Sequence, residues 1–359
     1  MHIPEDIFLP LYANETSSWQ RLNYQIQSAS QVLFLCETNV RVHALHIKAA
    51  LFKNAKLIEI PSSGEGFKSF QNLEKILGIL HQENLDRHSL LIVMGGGAFS
   101  DLCGLAASLF HRGIAWIVIP SSLLSMVDAA IGGKTAINLG EVKNLLGTFH
   151  EPANLIFYPD CLRTLPQIEF NSGFGEMLKT SLLISNKEFQ LVESMNPNQG
   201  YSDSGELLKL IDSCMRFKEK IVKADPQETL NLRSMLNLGH TIGHALESEF
   251  LYQVPHGICV AYGLWLESSL ACKLHNTSPL LPARIARIVR KMNYKLPHVP
   301  DGHLVLNRCL GDKKNRNQSI GFVFLREVGE LWDGVHTVSR YSLAELKNPV
   351  KETFAECFA

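Results

Sequence analysis

The chain is 359 residues long, 46 % apolar and 19 % charged, with a formal net charge of −1. Such a composition suits a well-buried globular protein and argues against wide disorder, and the length suits two domains better than one. With charges so balanced, no overall field recruits nucleic acid or an anionic membrane, so any anion site has to be a local cluster of bases.

Short β-rich runs alternate with helical ones from the start. Val32–Cys36 (VLFLC) reads as a buried strand, Arg41–Phe52 as a helix, Lys56–Ile60 as a second strand and Phe67–His81 as a second helix. Ser89–Met94 is a third strand, followed by a helix over Phe99–Phe110 and a strand at Ala115–Ile119. This rhythm predicts an α/β N-terminal domain with a parallel, Rossmann-like sheet over residues 1–166. From Phe170 to Leu246 apolar residues recur at helical spacing, and Val260–Leu274 and Ala283–Met292 continue the pattern. Residues 167–359 are therefore expected to form a mainly α-helical C-terminal domain. A late hairpin is expected from Ile320–Phe324 and Glu330–Trp332 about a turn at Gly329.

The N-terminal segment MHIPEDIFLP has neither the basic start nor the apolar run of a signal peptide, and no stretch is apolar for long enough to span a bilayer. Eight scattered cysteines without a C-x-x-C pair read as reduced thiols, which fits a cytoplasmic protein.

The third strand runs into Gly95-Gly96-Gly97-Ala98-Phe99-Ser100-Asp101. Glycines between a strand and a helix let the backbone approach a pyrophosphate, and the helix N-terminus offers N–H donors. Ser100 replaces the third glycine of the usual fingerprint, and a plain strand-to-helix turn would use the same residues. Two further loops stand at carboxyl ends of strands, Ser63-Gly64-Glu65-Gly66-Phe67-Lys68 and Pro120-Ser121-Ser122, where they can converge with the first.

Asn237-Leu-Gly-His240-Thr-Ile-Gly-His244 sets two imidazoles on one helical face, and His256 follows in Pro255-His256-Gly257. Glu176 and Lys179 share a face upstream. Two imidazoles and a carboxylate with one position open is the ligand set of a catalytic zinc site. Spacing alone favours the pair His240 with His244 over any pairing with His256. Between Val127 and His150 a polar, glycine-broken loop carries Asp128, Lys134, Asn138, Lys143 and Asn144. Lys218, Arg233 and the Asp312-Lys313-Lys314 run add positive charge later.

Taken together and in order, the Gly95…Asp101 turn, Val127-Asp128, Gly132-Gly-Lys-Thr-Ala-Ile-Asn138, Lys143-Asn144, Gly175-Glu-Met-Leu-Lys179, the Asn237–His244 run, His256-Gly257 and Asp312-Lys-Lys314 resemble the 3-dehydroquinate synthase family of sugar-phosphate cyclases, over about residues 30 to 335. The resemblance implies a homodimer that binds NAD and a divalent metal, zinc or else cobalt. It implies conversion of 3-deoxy-D-arabino-heptulosonate 7-phosphate to 3-dehydroquinate and phosphate, a step of the shikimate route to aromatic amino acids. NAD takes a hydride from a ring alcohol, phosphate leaves, the hydride returns, the ring opens, and an intramolecular aldol step closes the carbocycle.

By position, the implied metal ligands are Glu176, His240 and His256, with His244 beside the substrate. Lys134, Asn144 and Lys179 face phosphate or hydroxyls, with Lys313 or Lys314 nearby, and Arg112 reaches the phosphate across the dimer interface. Lys218 and Arg233 hold the carboxylate, and Asp128 and Asn237 bind ring hydroxyls. NAD lies against Ser63, Gly64, Glu65, Lys68, Gly95, Gly96, Gly97, Ala98, Asp101, Ser121, Ser122, Lys134, Lys143, Cys161 and Thr164, with Glu37 and Asn39 near the adenosine.

The sequence departs from the family at Ser121-Ser122, where two threonines are usual, and at Ile258, where a glutamate able to support the metal is common. One extra residue separates Asp225 from Arg233. Rival readings are a cyclase of a non-carboxylated sugar phosphate, a metal-dependent polyol dehydrogenase and a non-catalytic binder. Arg233 with Lys218, and the phosphate-facing set, favour the first assignment.

Overall fold

The computed structural model describes residues 15–62, 64–140, 142–201, 205–310, 319–332 and 338–359, and the chain divides between Leu165 and Pro166 into two compact units. The N-terminal unit contains, in order, α1 (Glu15–Ser28), β1 (Val32–Glu37), α2 (Arg41–Leu51), β2 (Lys56–Ile60), α3 (Phe70–Gln82), β3 (Leu90–Gly95), α4 (Gly97–Leu109), β4 (Ala115–Pro120), β5 (Lys134–Leu139), β6 (Val142–Phe149) and β7 (Asn154–Leu155). Five of these strands make one sheet in the order β2-β1-β3-β4-β7, every pairing parallel.

Burial explains why the central strands β1, β3 and β4 are nearly continuous apolar runs: β3 is buried along its whole length, and β1 and β4 along all but their first residue, whereas edge strand β2 keeps Lys56 and Glu59 exposed. Leu33, Leu35, Leu91, Val93 and Val118 join Ile76, Leu80, Phe99, Leu102 and Ala106 in one core. β2 and β3 lie on opposite sides of β1, so the chain reverses direction across the sheet between β1 and β3. In open α/β sheets ligands bind outside the carboxyl ends of the strands at such a switch. The helix expected from Phe67 starts three residues later, because Ser69 caps it by accepting the Asn72 N–H at 3.3 Å.

The stretch expected as a polar loop is mostly an antiparallel hairpin, β5–β6. Thr135 and Ile137 are buried between more exposed neighbours, a period-two pattern that the surrounding glycines and charges obscured. Ile137 pairs with Leu146 but Leu139 pairs with Val142, so β6 bulges at residues 143–145 and Asn144 takes a left-handed backbone, φ +53°.

The C-terminal unit is mainly helical: α5 (Gln167–Ile184), α6 (Asn186–Ser194), α7 (Gly205–Ala224), α8 (His240–Glu249), α9 (His256–His275), α10 (Leu280–Lys291) and α11 (Gly302–Leu310), then β8 (Ser319–Phe322), β9 (Leu325–Glu327), β10 (Glu330–Leu331), β11 (Ser339–Ser342) and α12 (Leu343–Cys357). The expected late hairpin is only half right. Gly329, φ +83°, turns β9 into β10, whereas β8 pairs with the later β11.

Two backbone crossings set this unit's interior. A methyl on Gly175 of α5 would sit 1.9 Å from the Gly257 carbonyl oxygen of α9, and one on Gly263 of α9 would sit 2.0 Å from the Gly239 oxygen before α8. Helices approach this closely only where Cβ is missing. Among the described residues, no helix is long and apolar enough to cross a membrane.

Candidate metal centre and nucleotide loops

The first crossing brings together the residues that flank its glycines. Glu176 follows Gly175, and His256 precedes Gly257. His256 Nε2 lies 3.1 Å from Glu176 Oε1, and His240 Nε2 lies 3.4 Å from the same oxygen. Glu176 is fully buried and its other oxygen, Oε2, stands 2.5 Å from Lys179 Nζ, itself 1 % exposed. Three ligand atoms, one from each of Glu176, His240 and His256, lie within 4.8 Å of one another.

The far side of each imidazole fixes its tautomer. His240 Nδ1 faces the Leu238 carbonyl at 3.1 Å, which can only accept, so Nδ1 carries the proton and a neutral ring aims its Nε2 lone pair at Glu176. His256 Nδ1 lies 3.1 Å from Glu247 Oε1, which accepts its N–H. A carboxylate oxygen and two Nε2 atoms converging this closely repel one another unless something positive lies between them, and a divalent cation fits that donor set. The protonation balance agrees. Burial, with the Lys179 charge, pushes His240 down to about 4 against the pull of Glu176. Burial also opposes charge on His256, but Glu176 and Glu247 outweigh it and raise His256 to about 10. Burial would raise Glu176, yet Lys179 and His240 hold its carboxyl well below the usual range. In the absence of a cation, one proton on His256 serves the same electrostatic purpose.

Sequence reasoning missed two carboxylates here. Glu247 supports His256, the task considered for a glutamate at position 258; Ile258 is instead fully buried core. The signal was available, since His240, His244 and Glu247 recur at helical spacing on α8. Glu267, 1 % exposed on α9, accepts the N–H groups of Gly239 and Ile242 at 3.1 and 2.8 Å and so anchors the start of α8. No sequence spacing reports that contact. His244 remains beside the cluster, its ring centroid 5.2 Å from His240 and 5.8 Å from His256. His244, Glu247 and His256 also form a second, overlapping donor set.

Further along the unit, Lys218 is buried on α7 and Arg233 is 6 % exposed in the turn Leu232–Asn237, which also holds half-buried Asn237. Arg233 Nη1 donates to the Pro226 carbonyl at 3.2 Å, and Nε lies 3.1 Å from Glu228 Oε1 without hydrogen-bond alignment. Lys313 and Lys314 lie outside the described residues, as does Ser63 of the N-terminal unit.

In the N-terminal unit the glycine turn sits at the switch point between β1 and β3. Gly96 occupies the N-cap of α4, whose first turn no side chain caps. Its own N–H donates to Glu37 Oε2 at 2.7 Å, and the Ser121 N–H donates to the Gly95 carbonyl at 2.9 Å, which ties the β4 loop to the turn. Ser121 and Ser122 are buried, while Asn39 and Thr164 are exposed and Cys161 is core. Gly97 and Ala98 open α4, and Asp101 lies in its second turn.

Lys68, 3 % exposed, gathers this half of the candidate residues. Its ammonium donates to Asp101 Oδ2 at 2.6 Å and to the Asn144 side-chain oxygen, and lies 3.7 Å from Glu65. Asn138 donates to Glu65 at 2.9 Å and accepts the Asn144 N–H at 2.8 Å. The bulge of β6 is thereby held against the Gly64–Phe67 turn, next to half-buried Lys143. Lys134 begins β5, exposed, and Asp128 lies half-buried in the helical turn Ser125–Ala129. Arg112 is exposed, with His111 and Arg112 both left-handed at φ +50° and +67°.

The family profile described as 3-dehydroquinate synthase N-terminal matches residues 58–172, and its C-terminal counterpart matches residues 173–315. A 3-dehydroquinate synthase of Campylobacter hominis is 35 % identical over 307 residues, spanning 82 % of this chain and 85 % of that protein. Among solved structures, a 2-epi-5-epi-valiolone synthase from Streptomyces hygroscopicus with NAD+ and Zn2+ bound aligns with a TM-score of 0.80 and 25 % identity over 92 % of each chain. A 2-deoxy-scyllo-inosose synthase complexed with carbaglucose-6-phosphate, NAD+ and Co2+ aligns with a TM-score of 0.78 and 22 % identity, over 92 % of this chain and 91 % of that one.

Proposed function

The chain belongs to the 3-dehydroquinate synthase family, and we propose that it converts 3-deoxy-D-arabino-heptulosonate 7-phosphate to 3-dehydroquinate and inorganic phosphate, using NAD and one divalent cation. The observation that supports this most directly is the convergence of buried Glu176 and His240 with half-buried His256, with both Nδ1 atoms already engaged elsewhere.

Glu176, His240 and His256 would hold the cation, zinc or cobalt, which when bound polarises an alcohol or carbonyl oxygen as a Lewis acid. The glycine turn Gly95–Gly97 would hold NAD, which when bound would supply reversible hydride chemistry. The chain's own side chains bind and orient. Lys179, fixed by its contact with Glu176, presents an ammonium to the substrate's phosphate or hydroxyls. Arg233 and Lys218 offer a buried, doubly positive anchor for the substrate carboxylate. Asn237 and His244 meet ring hydroxyls. In the N-terminal unit, Lys134 and Asn144 take phosphate or hydroxyls and Asp128 a hydroxyl, while Lys68, Asp101, Glu37 and the two serines receive the dinucleotide. Lysines and an arginine around a dianionic leaving group stabilise the charge that develops as it departs.

Assembly as a homodimer, with Arg112 serving the partner copy, is supported by the exposed apolar residues Leu139, Leu145 and Phe149 on the β5–β6 hairpin. None of the eight cysteines forms a disulfide among the described residues.

The test is a turnover assay with the heptulosonate phosphate, NAD and zinc. Phosphate and a product of dehydroquinate mass should appear together with no net NADH. Net NADH would mark a dehydrogenase, and turnover of only a non-carboxylated sugar phosphate would mark another cyclase. Chelation should abolish turnover, and zinc or cobalt should restore it.

Glu247→Ala removes the carboxylate behind His256 while leaving the three proposed ligands. Cation affinity, read by competition with a chromophoric chelator, should fall about 10- to 100-fold. Unchanged affinity would exclude Glu247 from that task.

A further inference from the structure

We propose that Asp225 is a positioning residue for recognition of the substrate carboxylate, acting by building the loop that presents Arg233. The inference rests on the reading of Arg233 as the carboxylate anchor.

Asp225 immediately follows α7 and is 0 % exposed. A carboxylate so placed carries a large desolvation cost unless its oxygens are saturated with donors. Here Oδ1 accepts the Leu230 N–H at 3.0 Å and Oδ2 accepts the Leu232 N–H at 3.1 Å. Burial drives the Asp225 carboxyl upward, but the backbone N–H groups of Leu230, Arg233, Leu232 and Thr229 outweigh it and hold the group below its ordinary value. The donors come from the loop between Asp225 and Arg233, including the Arg233 amide itself. That loop bends twice through left-handed backbone, at Glu228 (φ +58°) and Asn231 (φ +62°), neither of them glycine. Such bends persist only where the surroundings over-determine them. The Asp225 carboxylate is the charge at the loop's centre that does so.

The Arg233 guanidinium depends on the same loop for its aim. It is buried, and its Nη1 is held by the Pro226 carbonyl, one residue beyond Asp225. The helix carrying Lys218 therefore leads directly into the residue that builds the Arg233 loop.

Asp225→Asn keeps the shape but replaces an oxygen acceptor with an N–H donor facing N–H groups. The experiment compares KM and kcat for the carboxylated heptulosonate phosphate, together with inhibition by heptulose 7-phosphate, which lacks the carboxylate. The variant's KM should rise about 10- to 100-fold, the range of one charge-assisted contact, with kcat within about twofold. Cation content and inhibition by heptulose 7-phosphate should not change. In an Arg233→Ala background, Asp225→Asn should add nothing further to KM. Equal weakening toward both ligands, or additive effects with Arg233→Ala, would reduce Asp225 to a general structural residue and overturn the inference. A wild-type enzyme that makes no dehydroquinate would instead defeat the functional reading itself. If Asp225→Asn does not fold, hydrogen exchange on the wild type decides. The Leu230 and Leu232 amides should exchange slowly, and more slowly still with the carboxylated ligand but not with heptulose 7-phosphate; fast exchange indifferent to both ligands refutes the proposal.

Discussion

Glu176→Gln is expected to yield a folded protein that retains no divalent cation and loses turnover by on the order of a thousandfold. The substitution preserves volume and one oxygen, so the helix packing around it has no steric reason to change. What it removes is the negative charge on which His240, His256 and Lys179 converge. A neutral amide oxygen is a poor cation ligand, and two neutral imidazoles alone bind zinc weakly. Lys179 then loses the counter-charge of Glu176. Breaking a buried pair from one side costs about 3–5 kcal/mol, relieved in part if the ammonium loses its proton. The variant should therefore melt earlier than wild type with unaltered far-UV dichroism. Atomic emission reads the metal and the phosphate assay reads the turnover. Full cation retention would move the centre to the overlapping donors His244, Glu247 and His256; full turnover would remove the metal reading altogether.

The parts of this site that were legible in the sequence are those with local signatures. β1, β3 and β4 declared themselves as apolar runs because they are buried along nearly all of their length, and Gly95–Gly97 declared the turn because the chain passes from strand to helix there. The choice of His256 over His244 beside Glu176 was not legible from spacing, because it depends on where α9 crosses α5. Only resemblance supplied it. The β5–β6 hairpin was hidden because its inward residues, Thr135 and Ile137, alternate with residues that also read as loop. Glu267 and Asp225 were invisible for a shared reason. Each works by accepting backbone N–H groups, and a backbone donor leaves no mark on residue type. Glu247 lies between the two cases: its spacing from His240 was visible, its partner His256 was not.

Gly175→Ala is expected to abolish cation binding as completely as Glu176→Gln, though it touches no ligand. Two effects oppose one another. Alanine favours a helix over glycine by about 1 kcal/mol, which would stabilise α5 taken alone. Against this, the added methyl would lie 1.9 Å from the Gly257 carbonyl oxygen, and backbone on both sides leaves no flexible side chain to yield. Relief requires α5 and α9 to part by roughly 1.5 Å before ordinary contact is restored. Overpacking of this kind costs about 1–3 kcal/mol or more, so the crossing outweighs the propensity gain and net stability falls. The site suffers more than the fold. Glu176 and His256 are the immediate neighbours of the two glycines, and their 3.1 Å contact spans the crossing that must open. Ligand constellations tolerate displacements of about 0.5 Å, well short of that movement. Gly78→Ala in α3 supplies the control: a methyl there meets nothing within 4 Å, so propensity acts alone and stability should rise by about 0.5–1 kcal/mol with cation binding intact. Urea midpoints and metal content on the pair separate the two effects, and a Gly175→Ala protein that binds zinc and melts no earlier than wild type would mean that the crossing does not set the site.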